Sequence, residues 1–374
     1  MRFSFLHTAD WQLGKRFGSF PGDKPAVLRD QRLQAVDRLA EAAIAGGCAA
    51  VLVAGDVFDA ETVPDALTER LLARLKAYPQ LIWHLLPGNH DPARLGGVWS
   101  AVAAGGLPQN VRLHLQPQAA EIASGVVLLP APLASKRTET DPTAWWDGVA
   151  TQGAVRIGLA HGSVQGFGSG GDANVPIDPA RVKSARLSYL ALGDWHGTTR
   201  ISDRAWYSGT PEPDGFRDND PGNALIVRID GAAPPEVQRV RTAHFTWRRA
   251  TLKLDGASGI AEVEGDVAAL GAAAARCLLA LELQGLVSLS TRAAIEDRLA
   301  RLAPQLFHLA CDFTGLETYA ADADVEALGS PVLADIAQRL KAAAEDGGAD
   351  APHAQRALRR LFALARSCAA EASS

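Results

Sequence analysis

Along roughly the first 230 positions, apolar residues gather in short, nearly unbroken runs separated by stretches of helical spacing. Phe3, Phe5 and Leu6 open the chain as a buried strand. Between Pro25 and Ile44 the apolar positions Leu33, Val36, Ala40 and Ala43 trace one face of a helix that stops at Gly46-Gly47. "AAVLVAGD" then reads as a fully buried strand. A second helix from Pro64 to Tyr78 carries Leu67, Leu71 and Leu75 on one face, and a further buried strand runs from Leu81 to Leu86. Apolar runs at Val126 to Leu129, Val155 to Leu159, Leu187 to Leu192 and Ala224 to Ile229 follow in closer succession. Strands that alternate with helices and then crowd together predict a layered α/β domain over residues 1–230.

After "DGAAPPE" the pattern changes. "RRATLKLDG" and "ARCLLALELQG" read as strands flanking an alanine-rich helix, a small α/β capping domain over residues 237–325. Residues 330–374 read as two helices joined by a Gly-Gly-Ala-Asp-Ala-Pro linker. The stripes Leu333, Ile336, Leu340 and Leu358, Leu361, Leu364 cannot all be buried by a lone hairpin. They dock on the chain's own domains or serve as a partner-binding arm.

Composition narrows the class. A chain of 374 residues with 47% apolar content can bury a sizeable core over two or three units. No uninterrupted apolar stretch reaches membrane-spanning length, and the opening residues lack a basic-then-apolar layout, so the expected location is the cytoplasm with no membrane contact. Cys48, Cys277, Cys311 and Cys368 form no CxxC pair, which argues against a zinc cluster and against disulfides. A formal charge of −5 offers no global attraction to nucleic acid, so binding to DNA would need local basic patches or a partner.

The chemistry sits just past the apolar strands, in five places: Asp10 in "TADWQLG", Asp56 and Asp59 in "AGDVFD", Asn89, His90 and Asp91 in "PGNHDP", His161 in "LAHGS", and Asp194 with His196 in "LGDWHG". Loops that leave the carboxyl ends of strands in an open α/β sheet converge on one crevice. An aspartate after a strand is ordinarily a turn residue, but five such ends in order point to a shared metal site.

The order D-x-(H/Q), GDxxD, GNHD, a lone His after a strand, and a final x-x-H after Gly resembles the calcineurin-like metallophosphoesterases. Within them it is most similar to DNA repair nucleases of the SbcD and YhaO type, through "HTADWQLGK", "GDVFD…VP" and "YSGTPEPDGFRD". The resemblance implies a two-sheet sandwich flanked by helices and a dinuclear phosphodiesterase acting on DNA as exonuclease or endonuclease. It implies Asp10 and His196 on a first metal, Asp56 bridging, and Asn89 and His161 on a second. His90 would assist the leaving group, Asp91 would orient His90, and Asp59 would stand behind the ligands. It also implies an SbcC-like coiled-coil ATPase as partner and leaves room for a homodimer.

Two positions depart from the commoner pattern. Gln12 stands where many relatives carry histidine, and Asp194 stands where GHxH is usual. Gln12 is expected either to offer its amide oxygen to the metal or to hold a water ligand instead. Oxygen-rich surroundings favour Mn²⁺, with Mg²⁺ as the other candidate, over Zn²⁺. Basic residues near the motifs, Lys15, Arg16, Lys136, Arg137, Arg181, Lys183, Arg186, Arg200 and Arg217, are candidates to track a phosphate backbone. Trp145-Trp146 either stacks on bases or anchors its loop.

Overall fold

The computed structural model describes residues 2–167, 174–257 and 259–372. The chain divides into two compact units, 1–244 and 245–374.

In the first unit the buried runs become strands and the helical stripes become helices. Along the chain lie β1 (Arg2–Thr8), α1 (Lys24–Ala45), β2 (Ala50–Val53), α2 (Asp65–Lys76), β3 (Ile82–Leu85), α3 (Val98–Gly105), β4 (Val111–Leu113), β5 (Ala120–Ala123), β6 (Val126–Ala131) and β7 (Val155–His161). After the short pair β8 (Ser163–Val164) and β9 (Pro176–Ile177) come α4 (Arg181–Ser184), β10 (Tyr189–Gly193), β11 (Thr199–Ser202), β12 (Ala205–Tyr207), β13 (Asn223–Asp230) and β14 (Glu236–Arg241). They form two mixed six-stranded sheets, in the orders β14-β13-β1-β2-β3-β4 and β11-β12-β10-β7-β6-β5.

Strand alternation assigns each side chain to a layer. Phe3, Phe5 and Leu52 from the first sheet meet Leu128, Ile157, Leu159 and Tyr189 from the second in the space between the sheets. Leu6, Val51 and Val53 point the other way, onto Leu33, Val36 and Leu39 of α1, Leu71 and Leu75 of α2 and Trp99 of α3. Leu129, Ala160, Leu190 and Leu192 cover the outer face of the second sheet together with Trp146. The inner strands are buried on both faces, which is why they read as continuous apolar runs.

Strand β14 corrects one sequence boundary. The composition change places its residues in the second domain, but Asn223 to Arg228 of β13 pair antiparallel with Arg241 to Glu236, so the first unit runs to His244. The polar, largely exposed "EVQRVR" carries little hydrophobic signal because it is an edge strand.

The second unit holds β15 (Thr246–Leu254), α5 (Gly259–Ala269), β16 (Cys277–Ser288), α6 (Leu289–Leu302), β17 (His308–Tyr319), α7 (Asp322–Glu326), α8 (Pro331–Glu345) and α9 (Ala351–Ala372). All three strands are parallel, in the order β15-β16-β17. The expected two strands and helix are thus extended by α6 and β17. Ser288 caps α6 by accepting from the Thr291 N–H. Helices α8 and α9 form the expected hairpin, and Ala337, Leu358 and Phe362 pack on Leu289, Ala320 and Val325 of the same unit. Val332, Ile336 and Leu364 remain exposed.

Candidate metal centre

Strands β1, β2, β3, β7 and β10 bring their carboxyl-end loops to one edge of the sandwich. There Asp10, Asp56 and His161 are buried with ligand-capable atoms all within 4.8 Å of one another. His161 Nε2 lies 3.4 Å from Asp56 Oδ1 and 3.8 Å from Asp194 Oδ1. Its Nδ1 donates to the Ala54 carbonyl at 2.8 Å, so Nδ1 carries a proton and Nε2 is the ring nitrogen that faces the carboxylates. Asn89 donates from Nδ2 to Asp194 Oδ1 at 3.3 Å. Asp194 also accepts from Ser163 Oγ at 2.7 Å, while its backbone N–H donates to Asp10 Oδ1 at 3.1 Å.

Two atoms test whether these residues fit a cation. His161 Nε2 and Asn89 Oδ1 are buried with no hydrogen-bond partner among the described residues. Buried polar atoms left without a partner cost free energy; His161 Nε2 faces Asp56 and Asp194, and Asn89 is bonded to Asp194. A cation held by Asp56, Asn89, His161 and Asp194 would satisfy both.

The backbone is bent to make this approach. Asp10, Gln12, Asp56 and Asp194 all adopt positive φ (55°, 43°, 53° and 99°), a left-handed region that L-residues rarely occupy. The loops also come too close for side chains. A Cβ on Gly88 would lie 2.1 Å from Asp56 Oδ1, and one on Gly193 would lie 1.9 Å from the Ala54 carbonyl.

Electrostatics reflect the crowding. Burial pushes the Asp10 carboxyl up to about 6, against the pull of His196 and His161. Burial alone would depress His161, but Asp56, Asp10 and Asp194 outweigh it and raise the imidazole to about 9. Burial, with help from the Asp56 charge, raises Asp91 well above the usual carboxylate range.

The structure separates roles that the sequence leaves adjacent. Asp91 does not touch the His90 ring; its carboxyl oxygens accept from the backbone N–H groups of Gly88 (2.7 Å) and Phe58 (2.9 Å). Asp91 therefore ties the β2 and β3 loops together, and the expected orienting role is corrected. His90 Nδ1 instead meets the backbone carbonyl of Asp59 at 3.2 Å. The His90 backbone N–H holds Asp56 Oδ1 at 2.9 Å, and Nε2 lies 3.9 Å from Asp56 Oδ2. Asp59 thus contributes its main chain.

His196 reaches the same edge. Its Nδ1 lies 3.2 Å from Asp214 Oδ1 and its Nε2 lies 3.2 Å from Gln12 Nε2. Burial would raise Asp214, but the His196 hydrogen bond and charge, with Arg32 and Lys15, hold it well below its ordinary value. Burial would lower His196, and the same Asp214 contact raises it. The Gln12 amide nitrogen is 3.5 Å from Asp56 Oδ2, while its oxygen accepts from Lys15 Nζ at 3.2 Å. In this arrangement Gln12 presents no oxygen to the carboxylate cluster.

Several other candidates resolve as structural. Arg181 is buried and paired with Asp141 and Asp147, and Lys15 is paired with Asp214. Trp146 is fully buried beneath the second sheet, which removes it from base stacking. His7 is buried against Tyr189 and the Leu192 carbonyl, and His84 stacks on His114. The four cysteines are free. Sequence pattern alone does not single out Asp214, Ser163 or Arg32, although Asp214 lies within "YSGTPEPDGFRD" and Ser163 within "LAHGS".

Carboxylates, a histidine and an asparagine gathered at the strand ends of a two-sheet sandwich make a candidate site for a divalent cation. Residues 3–197 match the calcineurin-like phosphoesterase family, and the chain belongs to it. It is similar to a subunit of nuclease SbcCD from Rhodobacter capsulatus, 30% identical over 287 residues that cover 62% of this chain and 68% of that one. The Bacillus subtilis protein of the same name is 27% identical over 299 residues, 69% of this chain and 73% of the relative. The solved structure of TT1561 of Thermus thermophilus aligns over 65% of this chain and 100% of that one, at 11% identity and a TM-score of 0.41. Among the described residues no helix is long and apolar enough to cross a membrane.

Proposed function

We propose that this chain is a metal-dependent nuclease that hydrolyses phosphodiester bonds of DNA in repair, working beside a coiled-coil ATPase. The observation that carries the reading is the pair of buried, unpartnered atoms, His161 Nε2 and Asn89 Oδ1, facing Asp56 and Asp194. The names of its two relatives, both nuclease subunits, support the choice of substrate.

Asp56, Asn89, His161 and Asp194 would hold one divalent cation, and Asp10, Asp56 and His196 a second. The abundance of oxygen donors favours Mn²⁺ or Mg²⁺. Such cations, when bound, polarise the phosphodiester and lower the pKa of water. The protein's own groups do the rest. Asp56 is fixed by the His90 N–H and lies within reach of both His161 and the Gln12 amide, so it is the carboxylate placed to be shared. His90 spends Nδ1 on the Asp59 carbonyl and is left with Nε2, on a partly exposed ring, to pass a proton to the leaving oxygen.

Cleavage of single- and double-stranded DNA with Mn²⁺, by wild type and Asp56→Asn, tests the proposal. Wild type should cut and Asp56→Asn should not. A wild-type protein that hydrolyses small phosphodiesters or phosphomonoesters but leaves DNA intact would overturn the substrate. One that binds Mn²⁺ and hydrolyses neither would overturn the activity and leave a structural subunit.

A further inference from the structure

We propose that Lys15 and Asp214 are positioning residues that fix how Gln12 and His196 face the metal centre. When the ring is neutral, Asp214 keeps the proton of His196 on Nδ1 and leaves Nε2 free of one. Lys15 holds the Gln12 carboxamide with its oxygen turned away from the carboxylates. The metal-centre reading supplies what the pair faces; the hydrogen-bond ring itself is independent of it.

Four contacts close the ring. Lys15 Nζ lies 2.6 Å from Asp214 Oδ2 and 3.2 Å from Gln12 Oε1. Gln12 Nε2 lies 3.2 Å from His196 Nε2, and His196 Nδ1 lies 3.2 Å from Asp214 Oδ1. Donor and acceptor chemistry permits one assignment. A lysine ammonium only donates, so the amide atom beside it is the oxygen, and the amide nitrogen faces inward. A carboxylate only accepts, so His196 Nδ1 carries its proton. In the neutral ring His196 Nε2 is then an acceptor, which is what a donating Gln12 amide requires. Turning the amide over would set its NH₂ against the Lys15 ammonium. The backbone cooperates, since the Gln12 N–H is held by the Asp56 carbonyl at 2.9 Å and its φ is 43°.

The consequence concerns metal selectivity between the two positions. His161 Nε2 and Asn89 Oδ1 wait with no partner, whereas His196 Nε2 is already engaged by Gln12. With both imidazoles neutral, a cation at the Asp10 and His196 position must still displace that hydrogen bond, so it binds more weakly than one beside His161. Lys15 sustains the difference. Without its ammonium the carboxamide is free to turn its oxygen inward and become a ligand.

Two measurements on the full chain test this. In ¹⁵N–¹H spectra of metal-free protein, at alkaline pH where the ring is neutral, His196 should be the Nδ1–H tautomer, and Asp214→Asn should shift it toward Nε2–H. An Nε2–H tautomer in wild type, or no change in Asp214→Asn, overturns the role of Asp214. Mn²⁺ calorimetry should resolve a tight and a weak class of site. Lys15→Met should tighten the weak class by about 2- to 10-fold, the worth of one hydrogen bond. Lys15→Arg should restore wild-type affinity, and Gln12→Glu, which brings an oxygen inward whatever Lys15 does, should tighten the weak class as well. An unchanged weak class in Lys15→Met, or equal affinity for both cations in wild type, overturns the role of Lys15. The spectra require no catalysis, so absence of DNA cleavage would sink the proposed function and leave this inference standing.

Discussion

Arg32 offers a measurable link between the helical layer and the metal loops. It projects from α1 and is only 2% exposed, with Nε donating to the Trp11 carbonyl (2.8 Å) and Nη1 to the Glu212 carbonyl (2.8 Å). Nη2 reaches the Asp10 carbonyl (3.1 Å) and Thr210 Oγ1 (3.2 Å). Burial pushes the guanidinium pKa down while Asp214, Glu212, Asp59 and Asp10 pull it back. The perturbation is Arg32→Met, which keeps most of the stem volume and removes the fork. Each bond to a charged donor is worth about 1.5 to 3 kcal/mol, so four come to about 6 to 12 kcal/mol. Removing the ion also recovers a desolvation cost of several kcal/mol. The expected net loss is about 3 kcal/mol, and Arg32→Lys, with a single point charge in place of the planar fork, should recover less than half. Urea unfolding followed by tryptophan fluorescence reads the stability. Mn²⁺ calorimetry reads the second consequence, weaker binding, because the Asp10 loop loses its anchor. A loss below about 1 kcal/mol with unchanged Mn²⁺ affinity would show that the guanidinium's desolvation cancels its bonds and that Arg32 anchors nothing.

Further expectations follow from the same geometry. His90→Asn should lower DNA cleavage about 10²- to 10⁴-fold with metal content near wild type; metal loss equal to that of Asp56→Asn would make His90 a ligand. In metal-free protein the folded state binds protons more tightly than the unfolded chain at both Asp10, raised to about 6, and His161, raised to about 9. Stability contributed by His161 is therefore present below about pH 6.5 and lost as pH rises through about 9, and that from Asp10 is lost between about pH 4 and 6. Melting temperatures in chelator should fall across the upper window in wild type and fall less in His161→Gln, and excess Mn²⁺ should reverse the slope because cations take the deprotonated forms. Phe362→Ala, which empties the contact of α9 with Leu289 and Val325, should cost about 3 to 5 kcal/mol of local stability. Hydrogen exchange of α8 and α9 amides should show it, and unaltered protection would mean that the hairpin is held elsewhere.

The first unit was legible where burial imposes periodicity. Strands β2, β3, β7 and β10 are covered on both faces, so "AVLV", "IWHL", "VRIGLAH" and "YLALG" announce themselves, and each carries its polar residue just beyond the point where side-chain burial requires apolar ones. What stayed hidden depends on partners far along the chain. Lys15 and Asp214 are 199 positions apart, and Arg32 meets Glu212 across 180; no local pattern encodes either pair. The sequence singles out Asp91 and Asp59 but not their contacts, for a different reason. Both flank His90 in space, and only the backbone geometry decides that a main-chain carbonyl, not a carboxylate, receives its ring proton. The strand β17 is half-buried or exposed at every position but Leu316, so it carries no continuous apolar run to stand out.

The left-handed backbone at Asp10, Gln12, Asp56 and Asp194 has a bearing on any attempt to make this protein hardier. That conformation disfavours ordinary side chains by about 1 to 2 kcal/mol at each position, a penalty that glycine escapes and asparagine softens. Replacing the three aspartates with glycine or asparagine also relieves the crowding of negative charge among Asp10, Asp56 and Asp194. A library screened for heat resistance alone would accordingly gather substitutions at these four places first. Its best survivors would be sturdy proteins without a metal centre, because here the chain keeps its chemistry at the expense of its own durability.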